Sequence, residues 1–443
     1  MRERIEELID NKKYKELKIE LDKLNESDIA EFIEDINPKE LAKVFRLINK
    51  DVAAEVFSFL PLTVETELLS YLKESEVVGL LDEMAADDAT DLLGEMPANV
   101  VTRLLKKCNS DTREDINKLL RYSEDSAGSI MTVEFAELKE ELSVEKAITI
   151  LKREIEEYET VNTCFVVDKS RRLVGKIVLK DLLFADPKDL IKDIKEDVIS
   201  VKTITDQEEV AAQFKKYDVT VMPVVDSENR LVGIITVDDI VDVMEEETTE
   251  DMEKMAAIIP TDKPYLNVSV FETWKKRIPW LLLLMVSATF TGKIISNFEN
   301  ALAACTVLTA FIPMLMDTGG NAGGQASVTI IRGLSLNEIE LKDLLKIVWK
   351  EIRVAVLCGV TLALANFAKM LLIDGVSIKI AGVVCFTLVI TVILAKVIGS
   401  TLPLLAKKLK FDPAVMASPF ITTIVDALSL LVYFGIASKL LGI

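Results

Sequence analysis

The chain has 443 residues, 52 of them basic and 72 acidic, for a net charge of −20, and it contains no histidine. That balance excludes nucleic acid as a natural partner, and the missing imidazole removes Ser/His and Cys/His nucleophiles and His-ligated zinc, leaving mostly oxygen to hold a metal. The five scattered cysteines, Cys108, Cys164, Cys305, Cys358 and Cys385, form no CxxC pair and argue against disulfides or a thiolate site. Charge also divides the chain: 62 acidic and 36 basic residues precede Glu272, and 10 acidic and 16 basic residues follow from it onward. Such asymmetry predicts an acidic soluble half joined to a membrane half. MRERIEELID is charged from its second residue and has no apolar core, so no cleavable signal is expected and the soluble half is expected in the cytoplasm.

Residues 1–125 have helical periodicity and a faint repeat, Asp28, Ala30 and Pro38, then Asp51, Ala53 and Pro61, then Asp87, Ala89 and Pro97. An Asp cap, a helix and a terminating Pro explain that spacing without any function, and stacked copies predict an all-α superhelical domain. The third copy is unusually acidic. Asp82, Glu83, Asp87, Asp88 and Asp91 crowd two helical turns, where like charges repel unless a cation binds among them.

Residues from about 127 to 247 repeat at an offset of 58. Val166, Val167, Asp168, Leu173, Val174, Gly175, Ile177 and Asp181 match Val224, Val225, Asp226, Leu231, Val232, Gly233, Ile235 and Asp239. Each copy reads as a helix, two short strands around an Asp-rich turn, and a second helix. The stretch resembles a tandem CBS pair, an α/β regulatory module. GIITVDD in the second copy fits the GxxTxxD pattern whose last Asp holds a ribose in that family. The first copy reads GKIVLKD, with Val178 in place of the Thr, so Asp181 and Asp239 are nucleotide candidates of unequal standing. Beyond the repeat, EEETTEDMEK is ordinarily a solvated helix face.

Five apolar segments follow, roughly 278–298, 301–330, 352–373, 378–405 and 414–441, each long enough to span a bilayer. Lys275 to Arg277, the cluster Arg332, Lys342, Lys346, Lys350 and Arg353, and Lys407, Lys408 and Lys410 all fall on one side. The positive-inside rule makes that side cytoplasmic and leaves the C-terminal LLGI outside, in a plasma (inner) membrane. PMLMDTGGNAGGQ in the second segment is rich in residues that break helices or let backbones approach closely. It reads either as an ion-path wall containing Asp317 and Asn321 or as a glycine-mediated helix crossing.

The last segment carries a polar stripe, Ser418, Thr422, Asp426, Ser429 and Tyr433, on one helix face. At about 1.5 Å per residue Asp426 lies roughly 21 Å beyond Asp412, inside a bilayer core about 30 Å thick. A carboxylate there costs several kcal/mol unless it faces an ion path, pairs with Lys293, Lys369 or Lys396, or stays protonated.

The acidic helical domain, the CBS pair, the linking helix, YSEDSAGSIMT, MDTGGNAGGQ and DPAVMASPFITTIVDALSL together resemble the MgtE family of magnesium channels over almost the full length. The resemblance implies a non-enzymatic homodimer with its pore on the dimer axis. It divides the chain into an N domain (1–125), a CBS pair (126–246), a linking or plug helix (247–271) and an all-α five-helix pore domain (272–443). It marks Asp426 as the pore site, with Asp317 a further pore candidate. It places regulatory Mg2+ on Asp87, Asp91, Asp206, Glu208, Asp218, Asp239, Asp242, Glu247, Glu250, Asp251 and Asp412. Mg2+ is then both substrate and regulator, ATP on the CBS pair stays open, and the lipid membrane is the surroundings. The alternative is a nucleotide-sensing, CBS-regulated transporter or membrane regulator of another divalent cation. A hydrolase is disfavoured, since neither histidine nor a phosphate loop is present.

Overall fold

The computed structural model describes residues 2–442 apart from 35, 95, 156, 157, 262–264 and 417. Two compact units divide at 244/245. In the first, ten helices of eight to ten residues run from Arg2–Asp10 to Ser110–Leu119. They are too short to be stable alone, so packing must hold them. One contiguous apolar core, built around Leu17, Ile33, Val56, Phe57, Leu68 and Leu81, runs through the stack.

The Asp–Ala–Pro repeat has a different local cause from the one the spacing suggests. Asp28 and Asp87 lie within first turns, of Glu26–Glu34 and Ala86–Gly94, rather than at caps. Asn25 caps the earlier helix, its Oδ1 accepting from the Asp28 N–H at 2.8 Å. The prolines open the next helix: Pro38 is its first residue, and Pro61 and Pro97 immediately precede Leu62–Tyr71 and Ala98–Leu105. Their fixed φ suits helix entry, where a missing N–H costs nothing. The acidic run is likewise split. Asp82 ends one helix and accepts from the Asn109 N–H at 2.9 Å, while Asp87, Asp88 and Asp91 share the next.

The 58-residue repeat becomes two sheets of three strands each. β1 (Phe135–Lys139) runs parallel to β2 (Thr160–Val167), which pairs antiparallel with β3 (Leu173–Val178). β4 (Val201–Lys202), β5 (Val221–Val225) and β6 (Leu231–Thr236) repeat that order. Registers repeat at the same offset: Cys164 faces Ile177 as Met222 faces Ile235. Each Asp-rich turn is closed by its Asp. Asp168 accepts from the Ser170 and Arg172 N–H groups at 2.7 and 2.9 Å, and Asp226 from Glu228 and Arg230, both at 2.8 Å. The leading strands β1 and β4 carry no alternating pattern long enough to be read in advance. YSEDSAGSIMT is laced to the second copy, with Thr132 and Ile234 exchanging both backbone hydrogen bonds and Ala127 N–H bonding to Thr205 O.

Among the described residues of the second unit, four helical stretches are long and apolar enough to cross a membrane: Val270–Asn297, Leu341–Leu372, Ile378–Lys408 and the last stretch, whose helix is Ser418–Leu441. The other expected span is the helix Ile312–Ser335, entered through a short helix, Glu299–Ala304, and a 3-10 turn, Thr306–Phe311. Its glycines do not interrupt it. Gly319, Gly320, Gly323 and Gly324 are buried within a continuous helix that packs on Ile378–Lys408 and on Ser418–Leu441. Tertiary packing has overridden weak helix propensity, as small residues in a membrane bundle permit.

Candidate functional site

The glycine helix packs so closely that side chains are excluded. A Cβ on Gly399 of the helix Ile378–Lys408 would collide with the Gly323 carbonyl oxygen. A Cβ on Gly319 would meet Thr391 at 2.8 Å, Val425 at 2.9 Å and the Ser429 Oγ at 3.2 Å. Val425 and Ser429 flank Asp426, so the last helix brings its carboxylate to the edge of this crossing. Asp412 stands in the loop before a 3-10 turn, Pro413–Met416, and the helix itself begins at Ser418. Asp426 is therefore only about 12 Å along the helix, at 1.5 Å per residue, still within the hydrocarbon thickness.

Asp426 Oδ1 is buried and has no hydrogen-bond partner, and the same is true of Thr391 Oγ1. An unsatisfied buried oxygen costs about 1–3 kcal/mol, more when charged, so these two orphans mark a place where something polar belongs. None of the sequence's three candidate lysines supplies it. Lys396 approaches Glu351 at 3.7 Å, Lys369 bonds to Asp374 at 3.1 Å, and Lys293 is exposed. Asp317 is exposed and accepts from the Asn321 side-chain amide at 3.1 Å, joining the two residues whose spacing singled them out. Of the stripe, Ser429 is buried, whereas Tyr433 leaves it: its hydroxyl donates to Leu308 O at 3.0 Å and serves packing. The side chain of Ser418 lies outside the described residues.

The soluble unit contains a second acidic centre. Burial, with Asp88 and Asp239 adding their charges, pushes the Asp87 carboxyl well up. Asp239 is raised to about 6 by burial despite accepting from the Thr236 hydroxyl at 2.6 Å, with Asp238 and Asp88 contributing. Sequence reasoning missed three members. Glu65 is 7% exposed and raised to about 8 by burial, then Asp88 and Asp91. Glu134 rises to about 7 through burial and Glu159, and Glu159 itself rises through burial, Asp238 and Asp239. Glu65 sits in LTVETELLSY and Glu134 beside the apolar start of a strand, so neither stood in an acidic run. Helix-terminal Asp88 is held up by burial as well.

Burial first, and then their mutual charges, hold these carboxylates up. Among the described residues no three acidic side chains converge closely enough to seize a bare ion. The donor set is all oxygen and spaced, which fits a hard divalent cation that keeps several of its waters.

The remaining candidates are dispersed. Asp206 caps the helix Gln207–Tyr217 through the Glu208 N–H at 2.9 Å, and Asp218 ends it in a left-handed conformation. Glu208, Asp91 and Asp242 are exposed. Asp181 is exposed and lacks the threonine that holds Asp239, in line with its departure from the GxxTxxD pattern. The linking helix, Val237–Met255, carries Glu247, Glu250 and Asp251. Its end, from Glu245 on, belongs to the second unit: there Asp251 Oδ2 accepts from the Ser335 hydroxyl at 3.1 Å, and Lys254 bonds to Glu250 and Asp412.

Apolar helices around a carboxylate with an unpartnered buried oxygen, following a unit of stacked helices and paired CBS sheets, define a membrane protein of the transport class. Residues 24–125 match the family described as the MgtE intracellular N domain, residues 127–188 and 191–246 match the CBS domain, and residues 312–436 match MgtE, a divalent cation transporter. The chain is 40% identical over 331 residues to the magnesium transporter MgtE of Thermus thermophilus, covering 74% of this chain and 73% of that one. It is 35% identical over 336 residues to the magnesium transporter MgtE of Bacillus subtilis, covering 75% and 74%. A crystal structure of the cytosolic domain of the Mg2+ channel MgtE in complex with ATP is 35% identical with a TM-score of 0.52, covering 55% of this chain and all of that one. The chain belongs to the MgtE family of divalent cation transporters, which are not enzymes.

Proposed function

We propose that the protein is a Mg2+-selective channel that imports Mg2+ down the membrane potential and is closed by cytoplasmic Mg2+. The observation that carries the permeation part is Asp426, a carboxylate with a buried, unpartnered oxygen beside a glycine crossing in a bundle of apolar helices. In a homodimer two such carboxylates, facing across the axis, would hold one hydrated Mg2+ without a protein cage. Two charges moving through 100 mV gain about 4–5 kcal/mol, so neither ATP hydrolysis nor a coupled ion is needed.

Closure rests on the acidic centre. Mg2+ held by Asp87 and Asp239, with Glu65, Asp88, Glu134 and Glu159 around it, would relieve their repulsion and favour a compact soluble unit. In this reading residues 1–125 and 126–246 sense, 247–271 transmit, and 272–443 conduct. The soluble half lies in the cytoplasm of a plasma-membrane protein whose C-terminus is outside. The exposed candidates Asp91, Asp206, Glu208, Asp218 and Asp242, with half-buried Glu247, contribute long-range negative field or outer, water-mediated contacts. The Thr236–Asp239 pair also supports ATP binding at the second CBS copy, since a hydroxyl holds that carboxylate in place.

The test is uptake into sealed vesicles containing only the purified chain. An inside-negative potential should drive Mg2+ entry without ATP, and preloaded Mg2+ on the cytoplasmic face should suppress it. Entry that requires ATP, or that ignores the potential, would contradict a channel.

A further inference from the structure

Within the second unit, the end of the linking helix packs and bonds to the membrane helices and the loop before the last of them. Met255 packs with Ile331 and Ala414. Asp251 Oδ2 accepts from the Ser335 hydroxyl at 3.1 Å. Lys254 Nζ lies 2.6 Å from Glu250 Oε1 and 2.7 Å from Asp412 Oδ2. Asp412 is itself oriented, because its Oδ1 accepts from the Ala414 N–H at 2.7 Å. Immediately beyond, Ala257 adopts φ +57, the Ile258 N–H bonds back to Glu253 O at 2.9 Å, and the Ile259 N–H bonds to Lys276 O at 3.2 Å on the first spanning helix. The helix end is thus tied both to the loop before the last helix and to the start of the first span.

Lys254 occupies the space between Glu250 and Asp412, two of the carboxylates that the family resemblance assigns to regulatory Mg2+. An ammonium at 2.6–2.7 Å from both oxygens leaves no room for Mg2+, whose ligands stand at about 2.0–2.1 Å and which brings its own waters. The two cations therefore exclude each other. They differ in one respect: the lysine is tethered, so its effective concentration is fixed, whereas Mg2+ occupancy follows the cytoplasmic level.

We infer that Lys254 is a resident counter-cation that docks the linking helix in the absence of Mg2+ and competes with Mg2+ for Glu250 and Asp412, thereby setting the Mg2+ level at which the channel responds. The inference rests on the gating role given above to the linking helix. It predicts a specific asymmetry: removing the charge weakens ion-free docking and, at the same time, strengthens Mg2+ at this site.

The test compares the full-length parent with Lys254→Met, which keeps the stem and loses the charge, and Lys254→Arg, which keeps the charge. Linking-helix cleavage by a Glu-specific protease is followed in EDTA and across a Mg2+ series, since its sites at Glu245, Glu246, Glu247, Glu250 and Glu253 are untouched. In EDTA the Met variant should be cut several-fold faster than the parent. Its half-protecting Mg2+ concentration should fall roughly three- to tenfold, the range expected for losing two ion pairs of modest strength. The Arg variant should follow the parent. Equal cleavage of Met variant and parent in EDTA overturns the docking role, and an unchanged Mg2+ midpoint overturns the competition. Flux recorded in parallel separates the two levels: if internal Mg2+ leaves parent flux unaltered the gating reading fails, while the cleavage comparison still decides the role of Lys254.

Discussion

Glu65→Gln should abolish one titration and thereby change how the stability of the soluble unit depends on pH. Glu65 is 7% exposed, and burial together with Asp88 and Asp91 raises its carboxyl from 4.5 to about 8. A raised carboxyl pKa means that the folded state keeps a proton which the unfolded chain releases. The corresponding stability is fully present below about pH 4.5 and is lost as pH rises toward about 8. The slope is about 1.4 kcal/mol per pH unit for one proton, giving a loss on the order of 3–5 kcal/mol across the window. That is a large share of the 5–15 kcal/mol typical of a domain. The glutamine cannot ionise, so its advantage over the parent should grow with pH. Urea denaturation of residues 1–262 at pH 5, 6, 7 and 8, without divalent ions, measures this. Parallel stability profiles for variant and parent would refute the buried acidic centre. Millimolar Mg2+ should stabilise the parent more at pH 8 than at pH 5.5, because the ion competes with protons for the same oxygens.

Other outcomes follow from the same geometry. Millimolar Mg2+ should compact the soluble segment and shield its linking helix from proteolysis; an unchanged cleavage pattern from zero to high millimolar would count strongly against a sensor. Neutralising Asp218, Asp239, Asp242, Glu247, Glu250 and Asp251 together should leave channel activity much less dependent on internal Mg2+, and an inhibition curve matching the parent in patch recordings would make those carboxylates a solvated surface. Gly399→Ala should lower thermal stability in detergent by an amount equivalent to about 1–3 kcal/mol, since its Cβ meets the Gly323 carbonyl; wild-type stability would mean that the helices separate freely there.

The architecture was legible where a period or a charge asymmetry was strong. The 58-residue repeat gave both CBS sheets because identical register demands identical spacing, and the length of the apolar segments marked the spans. The two-residue strand β4 was too short to leave a pattern, and the glycine string argued against the continuous helix that packing enforces. Asp426 stood out in the sequence by its stripe and depth, while the close approach of its neighbours Val425 and Ser429 to Gly319 required three helices to be placed. Glu65, Glu134 and Lys254 were not legible. Each is unremarkable in its local sequence and acquires its role only through burial or through partners that the fold brings close, as it brings Asp412 to Lys254.

The central claim is that the Asp426 charge selects the permeating ion, and Asp426→Asn tests it with the least change in shape. Parent and variant are reconstituted at matched dimer content, and indicator-detected Mg2+ entry is measured under an inside-negative potential, with monovalent flux as the comparison. A field-based site predicts that the variant loses roughly tenfold or more of its Mg2+ rate, or admits monovalent ions that the parent rejects. Unaltered Mg2+ rate and unaltered selectivity in a correctly assembled variant would contradict it.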